Sequence, residues 1–110
     1  MKRRNTREER VWRAKVIRRD KCCIICDTKK HREAHHLDDY SYHPTSRYLI
    51  SNGVTLCRNC HTTYHCDFNK SFRTKTTKKN FLEFVKVVNY IRKISDIRNQ
   101  ISLKEILSRK

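Results

Sequence analysis

The chain has 110 residues, of which 36% are hydrophobic and 35% charged, with six cysteines, one glycine, one proline and a formal net charge of +16. So short and so charged a chain makes one small domain with a thin core, for which a metal or disulfide staple is expected. No apolar run approaches a signal-peptide h-region or the ~20 residues of a spanning helix, so a soluble cytoplasmic protein with reduced thiols on a metal is expected rather than a disulfide framework.

The charge is unevenly spread. Residues 1–21 carry ten Lys/Arg against three acids and residues 70–110 carry twelve against three, while residues 22–69 carry five of each. Two basic arms flanking a neutral middle suit a polyanion lying across a central site. The same excess, read blandly, serves solubility alone.

Thr6 to Glu9 fits a capping box, which predicts a helix from about Arg7 to Arg19. Val11, Trp12 and Ala14 to Ile17 are its inward candidates, with Trp12 a core residue. Arg10, Arg13, Arg18 and Arg19 are expected outside, where they can meet phosphate. Cys23 and Cys26 then form a C-x2-C knuckle. Cys22 cannot start such a pair, because position 25 is Ile. About thirty residues on, Cys57 and Cys60 supply a second C-x2-C pair, and together the four predict a tetrahedral thiolate site for structural zinc. Cys22 and Cys66 are left over as buried or partly buried thiols.

Arg32 to Leu37 reads as a short strand, followed by an irregular segment, Asp38 to Ser51, and a second short strand, Val54 to Leu56. Asp38 and Asp39 are expected to cap the intervening loop. Asn52-Gly53 is a turn signal on propensity alone. From Cys57 a helix is expected to run to about Asn69. Its positions i and i+4 place His61 and His65 on one face, able to share an ion. Residues 70–79 are basic and aperiodic, a candidate DNA-facing loop. Asn80 and Glu83 suggest a capping box before an amphipathic helix that buries Phe81, Leu82, Phe84, Val85, Val88 and Ile91. A further helix is predicted in the tail, residues 95–110. No second domain is visible, so residues 1–110 read as a single unit.

The order His35-His36, then NGVTLCRNCHTTYH from Asn52 to His65, resembles the HNH endonuclease motif in its zinc-stapled form, as found in phage and mobile-element (homing) enzymes. The resemblance runs from roughly Trp12 to Val88. It implies an α+β domain with a small ββα-metal, treble-clef-like core, structural zinc and flanking helices. It further implies a DNA partner and metal-dependent hydrolysis of phosphodiesters. By the same resemblance His36 is the general base, Asn52 orients the base loop, and His35, His61 and His65 hold a catalytic divalent ion. Strand alternation agrees with the split between His35 and His36, since adjacent side chains point to opposite faces. Imidazole ligands favour Zn²⁺, Ni²⁺, Co²⁺ or Mn²⁺, while added phosphate oxygens admit Mg²⁺. A non-catalytic zinc module that binds nucleic acid is the alternative; it needs the cysteines but not the histidines.

Overall fold

A computed structural model describes residues 6–69 and 76–94. It is a small α+β arrangement: α1 (Arg7–Asp20), β1 (Arg32–His36), a 3-10 turn (Ile50–Asn52), β2 (Gly53–Cys57), α2 (Arg58–Thr62) running into a π-helical turn (Thr63–Phe68), and α3 (Lys78–Ile94). The basic segment 70–75 and the tail helix expected over 95–110 lie outside the described residues. Among the described residues no helix is long and apolar enough to cross a membrane.

The Thr6 side chain accepts the Glu9 N–H at 3.2 Å, and the helix it caps ends at Lys21, which takes left-handed φ of 68° and returns its N–H to the Ile17 carbonyl. α1 buries Glu9, Trp12 and Val16. Val11 and Ala14, expected inward, are exposed, because the inward surface is narrowed to the i, i+4 row through Trp12 and Val16. Arg19 also departs from expectation. Its guanidinium clamps the Asp20 carboxylate at 2.8 and 3.0 Å and donates to the Ile50 and Gly53 carbonyls at 2.8 and 2.6 Å. Asp20 in turn accepts the Thr55 N–H at 2.8 Å, so this fully buried carboxylate has its charge and lone pairs met. Arg19 fastens α1 to β2 and is not available to phosphate.

β1 and β2 pair antiparallel, with Arg32 opposite Cys57, Ala34 opposite Thr55 and His36 opposite Gly53. Alternation places Arg32, Ala34 and His36 on the face toward α1, and Glu33 and His35 on the other. Gly53 is extended (φ −127°, ψ 149°), so its expected turn is absent. It is needed for another reason: a Cβ there would lie 2.5 Å from Val16 Cγ2 and 2.7 Å from Trp12 Cζ2. Only hydrogen fits between β2 and α1 at this point.

The opposite face of the hairpin carries the core, in which Val54 and Leu56 meet Tyr64, Phe81, Phe84 and Val85, with Cys23, Ile25 and Leu37 around them. α3 begins earlier than the Asn80–Glu83 pattern suggested. Thr77 Oγ1 accepts the Asn80 N–H and Asp38, forty residues upstream, accepts the Lys78 N–H at 2.9 Å, while Glu83 pairs with Lys86. Ile91 is 55% exposed and does not join the core.

Candidate functional site

Two clusters of ligand side chains form, one on each side of the Cys57–His61 segment. The first begins with the turn after α1, where Cys23 N–H donates to the Thr28 carbonyl, Asp27 N–H donates to the Cys23 carbonyl, and Asp27 adopts φ of 64°. Ile24 N–H donates to the Thr55 carbonyl, which holds this knuckle against β2. Cys57 caps α2, its Sγ accepting the Cys60 N–H at 3.4 Å. As a result the sulfurs of Cys23, Cys26, Cys57 and Cys60 all lie within 4.8 Å of one another, Cys26 and Cys57 at 3.6 Å. Tetrahedral zinc with Zn–S near 2.3 Å spaces sulfurs by about 3.8 Å, so the donor set and spacing fit that ion.

The electrostatics are compatible with a cation. The hydrogen bond from Cys60 pulls the Cys23 thiol down to about 4, and the same contact together with burial pushes Cys60 up, so four thiolates cannot coexist here uncompensated. Cys22 and Cys66 stand apart from the cluster; Cys22 is half-buried, but Cys66 is exposed, contrary to expectation.

His35, His61 and His65 form the second cluster, again within 4.8 Å. His61 Nε2 is 3.2 Å from His35 Nδ1 and 3.0 Å from His65 Nε2. Ligation at 2.0–2.1 Å would set such nitrogens about 3.3–3.4 Å apart, a small relaxation. The segment carrying His61 and His65 is less regular than expected: beyond Thr62 it widens into a π turn closed by Asn69 N–H on the Tyr64 carbonyl, which leaves the sequence neighbours Tyr64 and His65 both buried. Tyr64 meets the His35 ring edge-on at 5.0 Å and Phe81 lies 5.2 Å from it, forming an aromatic floor.

Burial, reinforced by the neighbouring imidazoles, holds His35 well below its ordinary range and His65 at about 4. Both are neutral at pH 7, the form that ligates metal. One participant was not foreseen. Glu33, two positions before His35 on the same strand face, accepts from His61 Nδ1 at 3.0 Å, which fixes the proton there and turns the Nε2 lone pair into the cluster.

His36 stands on the opposite face of β1. Its Nε2–H donates to the Arg47 carbonyl at 3.0 Å, and its ring stacks on Trp12 with centroids 3.8 Å apart and planes 13° from parallel. Trp12 is core, as expected, but it also sets the plane of His36; its own Nε1–H donates to the Leu49 carbonyl at 2.8 Å. The loop supplying the Arg47 carbonyl is held twice. Arg47 Nε donates to the Tyr40 carbonyl while its guanidinium lies 3.9 Å over the Tyr40 ring. Asn52, 3% exposed, grips the main chain of Asp38 with both ends of its amide, accepting the N–H at 2.8 Å and donating to the carbonyl at 3.0 Å. Asn52 is thus a buried strut at the end of the 3-10 turn and not a hairpin turn residue.

No protein-family model, curated protein or solved structure matches the chain. The chemistry of the site therefore rests on its own geometry. A three-nitrogen cluster, oriented by one carboxylate, can hold a divalent ion and leave coordination positions for oxygen ligands, while the imidazole on the next residue of the strand points to the opposite face and is held through its Nε2–H by a carbonyl.

Proposed function

We propose that this chain is a metal-dependent endonuclease of the HNH type, built on a zinc-stapled ββα-metal core, that hydrolyses phosphodiester bonds in DNA. The observation that carries this reading is the pairing on β1 of His35, turned into a three-histidine cluster, with His36, turned to the other face and oriented by the Arg47 carbonyl at Nε2. A binding module has no use for that pair. Cys23, Cys26, Cys57 and Cys60 hold structural zinc in this reading, and thiolate ligation suits a reducing compartment, the cytoplasm.

In the proposed reaction His36 Nδ1 takes a proton from the water that attacks phosphorus, while Trp12 and the Arg47 carbonyl keep the ring in plane. His35, His61 and His65 hold the divalent ion, with Glu33 orienting His61. That ion supplies charge stabilisation for the phosphoryl oxygens and the departing 3′ oxygen. Asn52 acts at one remove, by fixing the loop whose carbonyl holds His36. The basic segments supply DNA affinity.

The test is cleavage of supercoiled plasmid across a series of divalent metals. His36→Ala should lose roughly 10² to 10⁴ in rate while keeping fold and DNA affinity, and extra metal should not restore it. His61→Ala should respond to added metal. His36 is only 6% exposed, which favours the non-catalytic zinc module; wild-type protein that binds plasmid but leaves it intact under every metal, or His36→Ala cutting at the wild-type rate, would establish that second reading.

A further inference from the structure

One surface feature draws on the stretch whose charges balance in the sequence. A groove of about 590 Å³ is lined by Ala14, Ile17, Arg18, Lys21, Lys29 and Arg32. Four cations from three separate stretches, the end of α1, the exit of the cysteine knuckle and the start of β1, surround a floor of Ala14 and Ile17. No acid lines it. All four cations are exposed, and among the described residues none of them makes an ion pair. Two exposed cations outside the groove do lie near acids, Arg58 at 3.9 Å from Glu33 and Lys86 at 3.2 Å from Glu83.

The convergence is built, not incidental. Lys21 sits in left-handed backbone that side chains other than glycine seldom adopt, and its carbonyl accepts from Arg32 Nη1 at 2.6 Å, so the α1 end and the β1 start are tied into one wall. Favourable interaction with the C-terminal end of α1 accounts for a cation in its last turn, but Lys29 and Arg32 are outside that helix. Like charges gathered without counterions repel one another, and the repulsion is relieved by a polyanion whose charges recur along a line. Phosphate oxygens meet the cations; the small apolar floor suits deoxyribose.

We propose that this groove binds the sugar–phosphate backbone of duplex DNA at a place separate from the histidine cluster. The inference rests on the reading above for its choice of DNA as the polyanion. Arg32 and His35 are three residues apart on β1, about 10 Å along the strand, and their side chains leave opposite faces. The groove therefore anchors a phosphate other than the one hydrolysed, and contributes affinity and register without touching the reacting atoms.

The test compares two charge-matched variants of the full chain in binding a short DNA duplex over a salt series. The groove variant is Arg18→Gln, Lys21→Gln, Lys29→Gln, which leaves Arg32 and its hydrogen bond in place. The control is Lys79→Gln, Lys86→Gln, Lys93→Gln, all exposed on α3. At about 0.9 per phosphate contact, the groove variant should lose roughly two to three from the log–log salt slope, and the control much less. Equal losses in the two would overturn the proposal, as would a control that loses more. Arg18→Lys, Lys21→Arg, Lys29→Arg keeps the charge and should keep the slope; if the Gln variant melts differently from wild type, retention of slope by this set against its loss in single Gln variants decides. Competition with polyglutamate of equal charge separates partners, since displacement of DNA as effective as that by unlabelled duplex would give the groove to an acidic protein segment. His61→Ala, with zinc at the cysteines and no other divalent ion added, should bind with the wild-type slope. Failure of cleavage with groove-dependent binding intact would sink the nuclease reading and leave this one standing.

Discussion

Asn52→Asp separates two accounts of the same residue. If Asn52 served the chain as the first half of an Asn-Gly turn, aspartate would replace it at little cost, because Asp-Gly is nearly as good a turn. The structure predicts otherwise. The amide of Asn52 makes two hydrogen bonds to Asp38, at 2.8 and 3.0 Å, in a site where the residue is 3% exposed. Asparagine's NH₂ becomes a carboxylate oxygen facing the Asp38 carbonyl oxygen, turning an attraction into a repulsion. Asn52→Ala removes both bonds and orphans a donor and an acceptor; at about 1–2 kcal/mol for each of these two half-buried groups, a total of roughly 2–4 kcal/mol is expected. In a domain of this size that is on the order of 10–25 °C in the melting temperature. Asn52→Asp should cost as much or more. The assay is thermal unfolding of the zinc-loaded protein, with amide exchange followed at Leu37 and Asp38, since Leu37 N–H donates to the Asn52 carbonyl and should be less affected than Asp38. An Asn52→Asp protein that melts with wild type would refute the strut and restore the turn.

Four further outcomes are expected. Gly53→Ala drives a methyl against Val16 and Trp12, both nearly fully buried, so it should cost about 1–3 kcal/mol and alter the near-ultraviolet signal of Trp12, the chain's one tryptophan; an unchanged melt would show that α1 retreats freely. Glu33→Ala should weaken divalent-ion binding at the histidine cluster by roughly 10 to 100-fold, with Glu33→Gln, which keeps an acceptor, intermediate; competition against a chromogenic chelator reads it, and equal affinities would dismiss the carboxylate. Chelation of zinc, or Cys57→Ser, should abolish the cooperative melt, and a sharp transition in metal-free protein would remove zinc from the fold. In acid, His35 and His65 stay neutral in the folded chain (His65 to about 4) but take protons near 6.5 when unfolded, so the unfolded state binds more protons in that interval and stability of protein with zinc at the cysteines and no ion at the histidines must fall from pH 6.5 toward 4. A denaturation midpoint as high at pH 5 as at pH 7 would contradict the sign.

The two clusters were legible because their spacing is local: C-x2-C brings two sulfurs together through one knuckle, and i, i+4 brings two imidazoles together through one turn. Alternation on a strand likewise separated His35 from His36 without any knowledge of the fold. What escaped is whatever depends on a distant segment. Arg19 looks like one more cation on a basic helix until the 3-10 turn presents the Ile50 carbonyl and β2 the Gly53 carbonyl. α3 starts where it does because Asp38 reaches its first turn from the far side of the loop. Glu33 shares the His35 face of the strand, yet its contact with His61 exists only once α2 docks on the hairpin. The Arg47 carbonyl is a main-chain group with no sequence signature at all. In the π turn, residue types compatible with an ordinary helix gave no warning of the wider coil.

The arrangement as a whole turns on the register of β1 against β2. A slip by one residue would exchange the faces, sending His36 into the aromatic floor and His35 toward Trp12, and neither cluster nor stack would survive. Contacts at three residues, Gly53, Thr55 and Leu37, oppose it. Gly53, opposite His36, is the one position on β2 that lets Trp12 approach closely enough to stack on the imidazole. Thr55 N–H is held by Asp20, and the Thr55 hydroxyl donates to the Val16 carbonyl, so the middle of β2 is fixed to α1 from the same side. Leu37 N–H on the Asn52 carbonyl then closes the ladder one step beyond His36, and the amide of Asn52 carries that register into the loop bearing the Arg47 carbonyl. The residue that resembles a turn former thus connects strand register to the orientation of His36, which is why its replacement by an equally good turn former is the sharpest test of the site.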